Sequence, residues 1–105
     1  MSDYTIEQQE NHLQVTLTGD LTASAVPGLQ SALREALKPE VNELAVDLQN
    51  TTMLDSSGIG LLIAAVNTLA RRNGRIQVIN VSRDILQLLQ SMRLVNRLNA
   101  TPRAQ

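Results

Sequence analysis

Apolar and polar residues alternate with a strand-like period in some stretches of the chain and follow a helical period in others. Tyr4 and Ile6, then Leu13, Val15 and Leu17, mark two short alternating segments around a polar Gln9-Glu10-Asn11 turn. Alternation on both sides of a tight polar break predicts a β-hairpin with one buried face. Gly19-Asp20 ends the second strand, and Ser24 to Gly28 leads into a helix. Pro27 suits an early helical position, where its missing N–H is no loss. Val26, Leu29, Leu33, Ala36 and Leu37 continue as a helical stripe, which Lys38-Pro39 stops.

Leu44, Val46 and Leu48 alternate again and predict a third strand. From Ser57 to about Ala70 the chain reads as a second helix, apolar on most sides through Ile59, Leu62, Ile63, Val66 and Leu69. Arg71-Arg72-Asn73-Gly74 supplies a basic last turn and a glycine stop. Ile76, Val78, Ile79 and Val81 predict a buried fourth strand, and Ser82 can cap a third helix carrying Ile85, Leu86, Leu89 and Met92. Leu94, Val95 and Leu98 make either a last short strand or an irregular cover, before a polar tail from about Asn99. Met53 and Met92 read as core filler. The order β-β-α-β-α-β-α predicts one α/β domain over residues 1–105. Its sheet is mixed but mainly parallel, of about four or five strands, with right-handed crossovers.

The segment Met53-Leu54-Asp55-Ser56-Ser57-Gly58-Ile59-Gly60-Leu61-Leu62 stands where the chain leaves the third strand and enters the second helix. In open α/β folds, sites gather at the carboxyl ends of strands. The first N–H groups of a helix lack internal partners, and the helix dipole places partial positive charge there. Asp55 or Ser56 can cap such a start, the loop can hold an anion, or a serine can accept a phosphate. Asp-Ser-Ser is more than one cap requires. Gly58 and Gly60 cost helix stability, about 1 kcal/mol each relative to Ala, and keep the surface small enough for another protein to approach Ser57.

Composition removes several classes of function. Nine basic and ten acidic side chains give a formal charge of −1, and Tyr4 is the only aromatic residue. A nucleic-acid partner therefore finds neither a basic footprint nor a stacking platform. With no cysteine, thiolate metal sites and disulfides are ruled out. Met1 to Glu10 is polar and acidic, without the pattern of a signal peptide, and no apolar run approaches the roughly 20 residues of a membrane span; a cytoplasmic protein without membrane insertion is expected. His12 stands alone in the hairpin and reads as a solvated strand residue, and Arg71 and Arg72 serve the helix end. No Gly-x-x-x-x-Gly-Lys-Ser/Thr loop or Gly-x-Ser-x-Gly elbow is present. The chain is expected to be no enzyme and to need no cofactor or metal.

Asp55-Ser56-Ser57-Gly58-Ile59-Gly60-Leu61-Leu62 resembles the signature of the STAS domain, shared by sulphate transporters and anti-sigma factor antagonists. Leu17-Thr18-Gly19-Asp20-Leu21 resembles the family's Gly-acidic-Leu turn, and Leu44-Ala45-Val46-Asp47-Leu48 its third strand. The likeness is nearest to the stand-alone antagonists. It implies that Ser57 is phosphorylated by an anti-sigma factor or switch kinase of the histidine-kinase-like ATPase fold. Unphosphorylated protein would bind that kinase, phosphorylation would break the complex, and a serine phosphatase would reset it. The contact surface would comprise Asp20, Thr22, Ser24, Asp55, Ser56, Gly58, Ile59 and Gly60, with Asp20 and Asp55 as the carboxylates that a phosphate meets. The chain departs from the pattern at Thr22, where the family often has another acidic or polar residue, and in a final helix expected to be short or missing. A different class is the STAS subunit of a lipid- or solute-transport ABC-type complex, which is not phosphorylated. Nucleotide binding at the helix start is a third reading, on dipole grounds alone.

Overall fold

The structure is a computed structural model and describes residues 4–103. Five strands form one sheet in the order β1-β2-β3-β4-β5. They are β1 (Tyr4–Gln9), β2 (His12–Leu17), β3 (Glu43–Asp47), β4 (Arg75–Val81) and β5 (Ala100–Pro102). Between them run α1 (Val26–Ala36), α2 (Ser56–Ala70), α3 (Arg83–Ser91) and the short α4 (Val95–Leu98). β1 and β2 pair antiparallel as the expected hairpin, and every other pairing is parallel. Glu10, at φ 55°, makes the tight reversal of the hairpin.

Register explains the division of faces. Leu13, Leu44 and Ile76 form one row across three strands, and Val15, Val46 and Val78 form the next. All six are buried in a single cluster with Leu29 and Leu33 of α1, Leu62 and Leu69 of α2, and Ile85 and Leu89 of α3. The alternate rows, His12-Glu43-Arg75 and Gln14-Ala45-Gln77, turn to the opposite face, and in these two rows only Ala45 is apolar. α2 packs on β4, while α1 and α4 pack against α2.

Three expectations are corrected. Ile79 is only half-buried, because alternation turns it to the polar face. Asn80, at φ 57°, lies in a register shift between Val78 and Val81, and that bulge returns Val81 to the core. Met92 is 46% exposed rather than core filler. α3 stops at Ser91, and Arg93 at φ 59° turns the chain so that Leu94 N–H reaches the Leu89 carbonyl at 2.8 Å and Arg93 N–H the Gln90 carbonyl at 3.0 Å. This is a left-handed helix stop with its usual apolar closure, and Leu94 takes the buried place the periodicity assigned to Met92.

The supposed tail is the third correction. Val95–Leu98 is a short helix rather than a strand or irregular cover, Asn99 reverses the chain at φ 48°, and Ala100–Pro102 adds a fifth strand beside β4. Asn99 Nδ2 donates to the Ile76 carbonyl at 2.8 Å, and Arg103 N–H to the Val81 carbonyl at 2.9 Å. Leu98 is fully buried. The last two residues of the expected tail lie outside the described residues.

The stop of α2 also differs in detail. Asn73, at φ 57°, takes the left-handed position, and Gly74 N–H bonds the Leu69 carbonyl at 2.7 Å. Gly74 is needed for space, since a Cβ there would lie 2.5 Å from the Asn42 carbonyl oxygen. Arg72 acts across the fold: its Nη1 donates to the Lys38 and Val41 carbonyls at 2.7 and 2.8 Å.

Truncating Leu98 tests whether the terminal segment belongs to the core. Leu98→Ala should destabilise the protein by about 2–5 kcal/mol in urea unfolding, whereas a residue of a solvated tail would cost almost nothing.

Candidate functional site

Parallel pairing carries β2 and β3 to the same edge of the sheet, so the loops that follow them run side by side. A bridge between Leu21 and Leu54 joins these loops. Leu21 N–H donates to the Met53 carbonyl at 3.1 Å, and Asp55 N–H to the Leu21 carbonyl at 3.3 Å. Thr51 is fully buried, and its hydroxyl donates to the Gly19 carbonyl at 2.8 Å, which satisfies a polar group under the surface.

Two carboxylates clasp the loops. Oδ1 of Asp20 accepts from Thr52 N–H at 3.0 Å, the Thr52 hydroxyl at 2.9 Å and Met53 N–H at 3.0 Å. Those donors, Thr52 first, favour the ionised form and hold the Asp20 carboxyl below its ordinary range. Asp55 divides its oxygens between two elements. Oδ1 accepts from Gly58 N–H at 3.0 Å and caps α2, while Oδ2 accepts from Ala23 N–H at 3.0 Å in the first loop. Asp55 is therefore the cap, and Ser56 is left exposed in the first turn.

Gly58 explains why these loops come so close. Its backbone packs directly against Leu21, and a Cβ there would collide with the Leu21 carbonyl oxygen and lie 2.8 Å from Leu54 Cδ1 and 2.9 Å from Leu21 Cγ. Gly60 has open space around it and is exposed. The two glycines thus differ in kind: Gly58 is a packing requirement, and only Gly60 leaves the surface flat.

The expected contact residues are distributed by depth. Asp20, Ser24, Ser56 and Gly60 are exposed, Thr22, Asp55 and Ser57 are half-buried, and Gly58 and Ile59 are buried. Ile59 and Gly58 support the surface from below rather than lie in it. Thr22 Oγ1 stands 3.5 Å from Ser24 Oγ. Among the described residues, neither Ser56 nor Ser57 commits its hydroxyl to a hydrogen bond. Met53, expected as core filler, is 58% exposed beside Asp20 and the motif. Alternation carried the signal: Leu54 is buried, so its neighbour in extended backbone faces outward. Thr52, the main partner of Asp20, was not singled out in the sequence either, because only the tertiary contact gives its hydroxyl a role.

His12 lies at the opposite end of the strands, with Nδ1 3.8 Å from Glu43 Oε1. Among the described residues, no group of three or more His, Cys, Asp or Glu side chains is placed to hold a metal ion. No helix among them is long and apolar enough to cross a membrane.

A family model described as "Mlab, STAS domain" matches residues 4–99, and the chain belongs to the STAS-domain family. The anti-sigma-B factor antagonist of Bacillus subtilis (strain 168) is 26% identical over 86 residues, which are 79% of this chain and 75% of that protein. The phosphorylated form of the Bacillus cell fate determinant SpoIIAA superposes with a TM-score of 0.78 at 20% identity, covering 97% of this chain and 92% of the other. The inward-facing murine Solute Carrier 26 family member A9 anion transporter contains the same fold, with a TM-score of 0.74 at 13% identity, over 93% of this chain and 17% of the transporter.

Substitution of the two glycines should give opposite results in thermal and urea unfolding. Gly58→Ala should destabilise by about 1–3 kcal/mol through overpacking, and Gly60→Ala should stabilise by up to about 1 kcal/mol. Equal effects would show that Gly58 is not tightly packed. The Asp20 clasp makes stability pH-dependent. A depressed native pKa adds stability above the ordinary Asp value of about 3.9, and that contribution disappears as pH falls through the native value. Asp20→Asn should therefore lower the urea midpoint at pH 7, and the gap to the parent protein should close in acid below the ordinary Asp range.

Proposed function

We propose that the protein is an anti-sigma factor antagonist gated by phosphorylation of Ser57. The observation that carries the reading is the placement of Ser57. Its uncommitted hydroxyl, on a half-buried residue, lies in the first turn of α2, on a platform made rigid by the Asp20 and Asp55 clasps. The likeness to proteins named anti-sigma-B factor antagonist supports the role, and the likeness to a phosphorylated SpoIIAA supports the modification.

In this reading the unphosphorylated surface docks on an anti-sigma factor that is also a serine kinase of the histidine-kinase-like ATPase fold. The exposed contacts would be Asp20, Ser24, Ser56, Gly60 and Met53, with Thr22 and Asp55 at their edge. The γ-phosphoryl group moves from ATP to Ser57 Oγ, ADP departs as the leaving group, and the hydroxyl proton passes to a base of the kinase. The phosphate adds about −1.5 to −2 charges at neutral pH. Asp20 and Asp55 are already negative and engaged with N–H donors, so they cannot neutralise it. The platform stays in place and the added charge disrupts the interface. A serine phosphatase restores the binding form. The domain would work in the cytoplasm as a protein-binding switch with no catalytic step of its own.

A second reading is kept because the same fold occurs inside an anion transporter. There the chain would be a constitutive STAS subunit of a lipid- or solute-transport ABC-type complex.

Peptide mapping of protein purified from its native host should find one phosphate, on Ser57, that is absent in Ser57→Ala and retained in Ser56→Ala. Ser57→Asp should weaken co-purification of a kinase at least about tenfold, equivalent to ~1.4 kcal/mol. Absence of phosphate in every growth condition, with a transporter ATPase co-purifying instead, would establish the second reading.

A further inference from the structure

A groove of about 360 Å³ lies between α1 and α2 and begins one helical turn beyond Ser57, on the same face of α2. Its lining on α2 runs from Leu61 to Thr68, roughly 10 Å along the helix axis at the standard rise per residue, and Arg72 follows in the turn beyond the helix end. Leu33 and Leu61 are buried in the floor, Leu37 is half-buried, and Ala64 is exposed at the rim.

Gln30 and Thr68 are neutral, and the charged part of the lining has one sign. Arg34 and Arg72 both line the groove, and no carboxylate does. Arg34 makes no hydrogen bond or ion pair among the described residues. Arg72 is held in position by the two carbonyls that accept from its Nη1, and its other guanidinium nitrogens have no partner among the described residues. An apolar floor beside two unneutralised guanidiniums, one of them fixed, is complementary to an apolar side chain flanked by carboxylates.

We propose that this groove is a second docking site, taking an acidic amphipathic helix of a protein partner. An enclosed small-molecule pocket buries most of its ligand. This groove is only partly enclosed, and an inserted helix would lay Leu-type residues spaced i and i+3 or i+4 on the floor, with Glu or Asp toward Arg34 and Arg72. The site continues the Ser57 face of α2 away from the helix start.

The test titrates the full-length, isotope-labelled chain with a helix-stabilised peptide of about 14 residues, carrying Leu at the floor positions and Glu beside them. A second peptide has Lys in place of every Glu, and octanoate serves as a small apolar carboxylate. The Glu peptide should shift the amide resonances of Arg34, Ala64 and Thr68 with a dissociation constant below about 1 mM, and the Lys peptide should not. Arg34→Glu and Ala64→Trp, both at exposed positions, should each weaken binding about tenfold, with native spectra confirming their folding. Failure of the Glu peptide to shift those amides, or binding by both variants as tight as by the parent chain, would overturn the proposal. So would octanoate binding there more tightly than the peptide, which would make the groove a small-ligand site.

Discussion

The carboxylate of Asp55 bonds two elements at once, Gly58 N–H at the start of α2 and Ala23 N–H in the loop after β2. A charged acceptor makes hydrogen bonds roughly twice as strong as neutral ones, and here the same charge satisfies two donors. Without the clasp, the start of α2 would lose its cap and the loop its anchor to the helix. It can form only because Gly58 lets the backbone of α2 meet the carbonyl of Leu21. Asp20 repeats the device in the opposite direction, reaching from the first loop to Thr52 and Met53 in the second. The two loops are thereby fixed as one surface.

That surface inherits its position from the sheet. β2 and β3 run parallel, so their following loops share an edge, and the Leu13-Leu44-Ile76 and Val15-Val46-Val78 rows set the register that aligns them. The buried hydroxyl of Thr51 closes the space beneath by bonding the Gly19 carbonyl. The resulting division of labour suits a binding switch: carboxylates and glycine build the platform, and serine hydroxyls and a methionine thioether are left for a partner. In the proposed switch, charge added at Ser57 would fall on this surface rather than into the core. The groove between α1 and α2 continues the Ser57 face of the same helix, so one helix face carries two stretches of different chemistry.

Residue periodicity alone predicts the hairpin, both long crossover helices and the four principal strands, because each buries one face and repeats every two or about every 3.6 residues. Asp55-Ser56-Ser57-Gly58 was legible as a helix start at a strand exit, and the likeness of the segment to STAS signatures pointed to Ser57. Local sequence could not choose between Asp55 and Ser56 as the cap, since both side chains can accept from the first turn. Nor could it separate Gly58 from Gly60: the distinction rests on Leu21, which comes from a different loop.

The sequence by itself determined the order of elements, the buried stripe of each and the place of the motif, because those follow from spacing along one segment. Tertiary structure decided what depends on contacts between segments far apart in the chain. It exposed Met53 and Met92, turned Ile79 outward, and drew the polar-looking Ala100–Pro102 into the sheet beside β4. It also converted two acidic residues into clasps, since a carboxylate becomes structural only where the fold brings N–H donors to it.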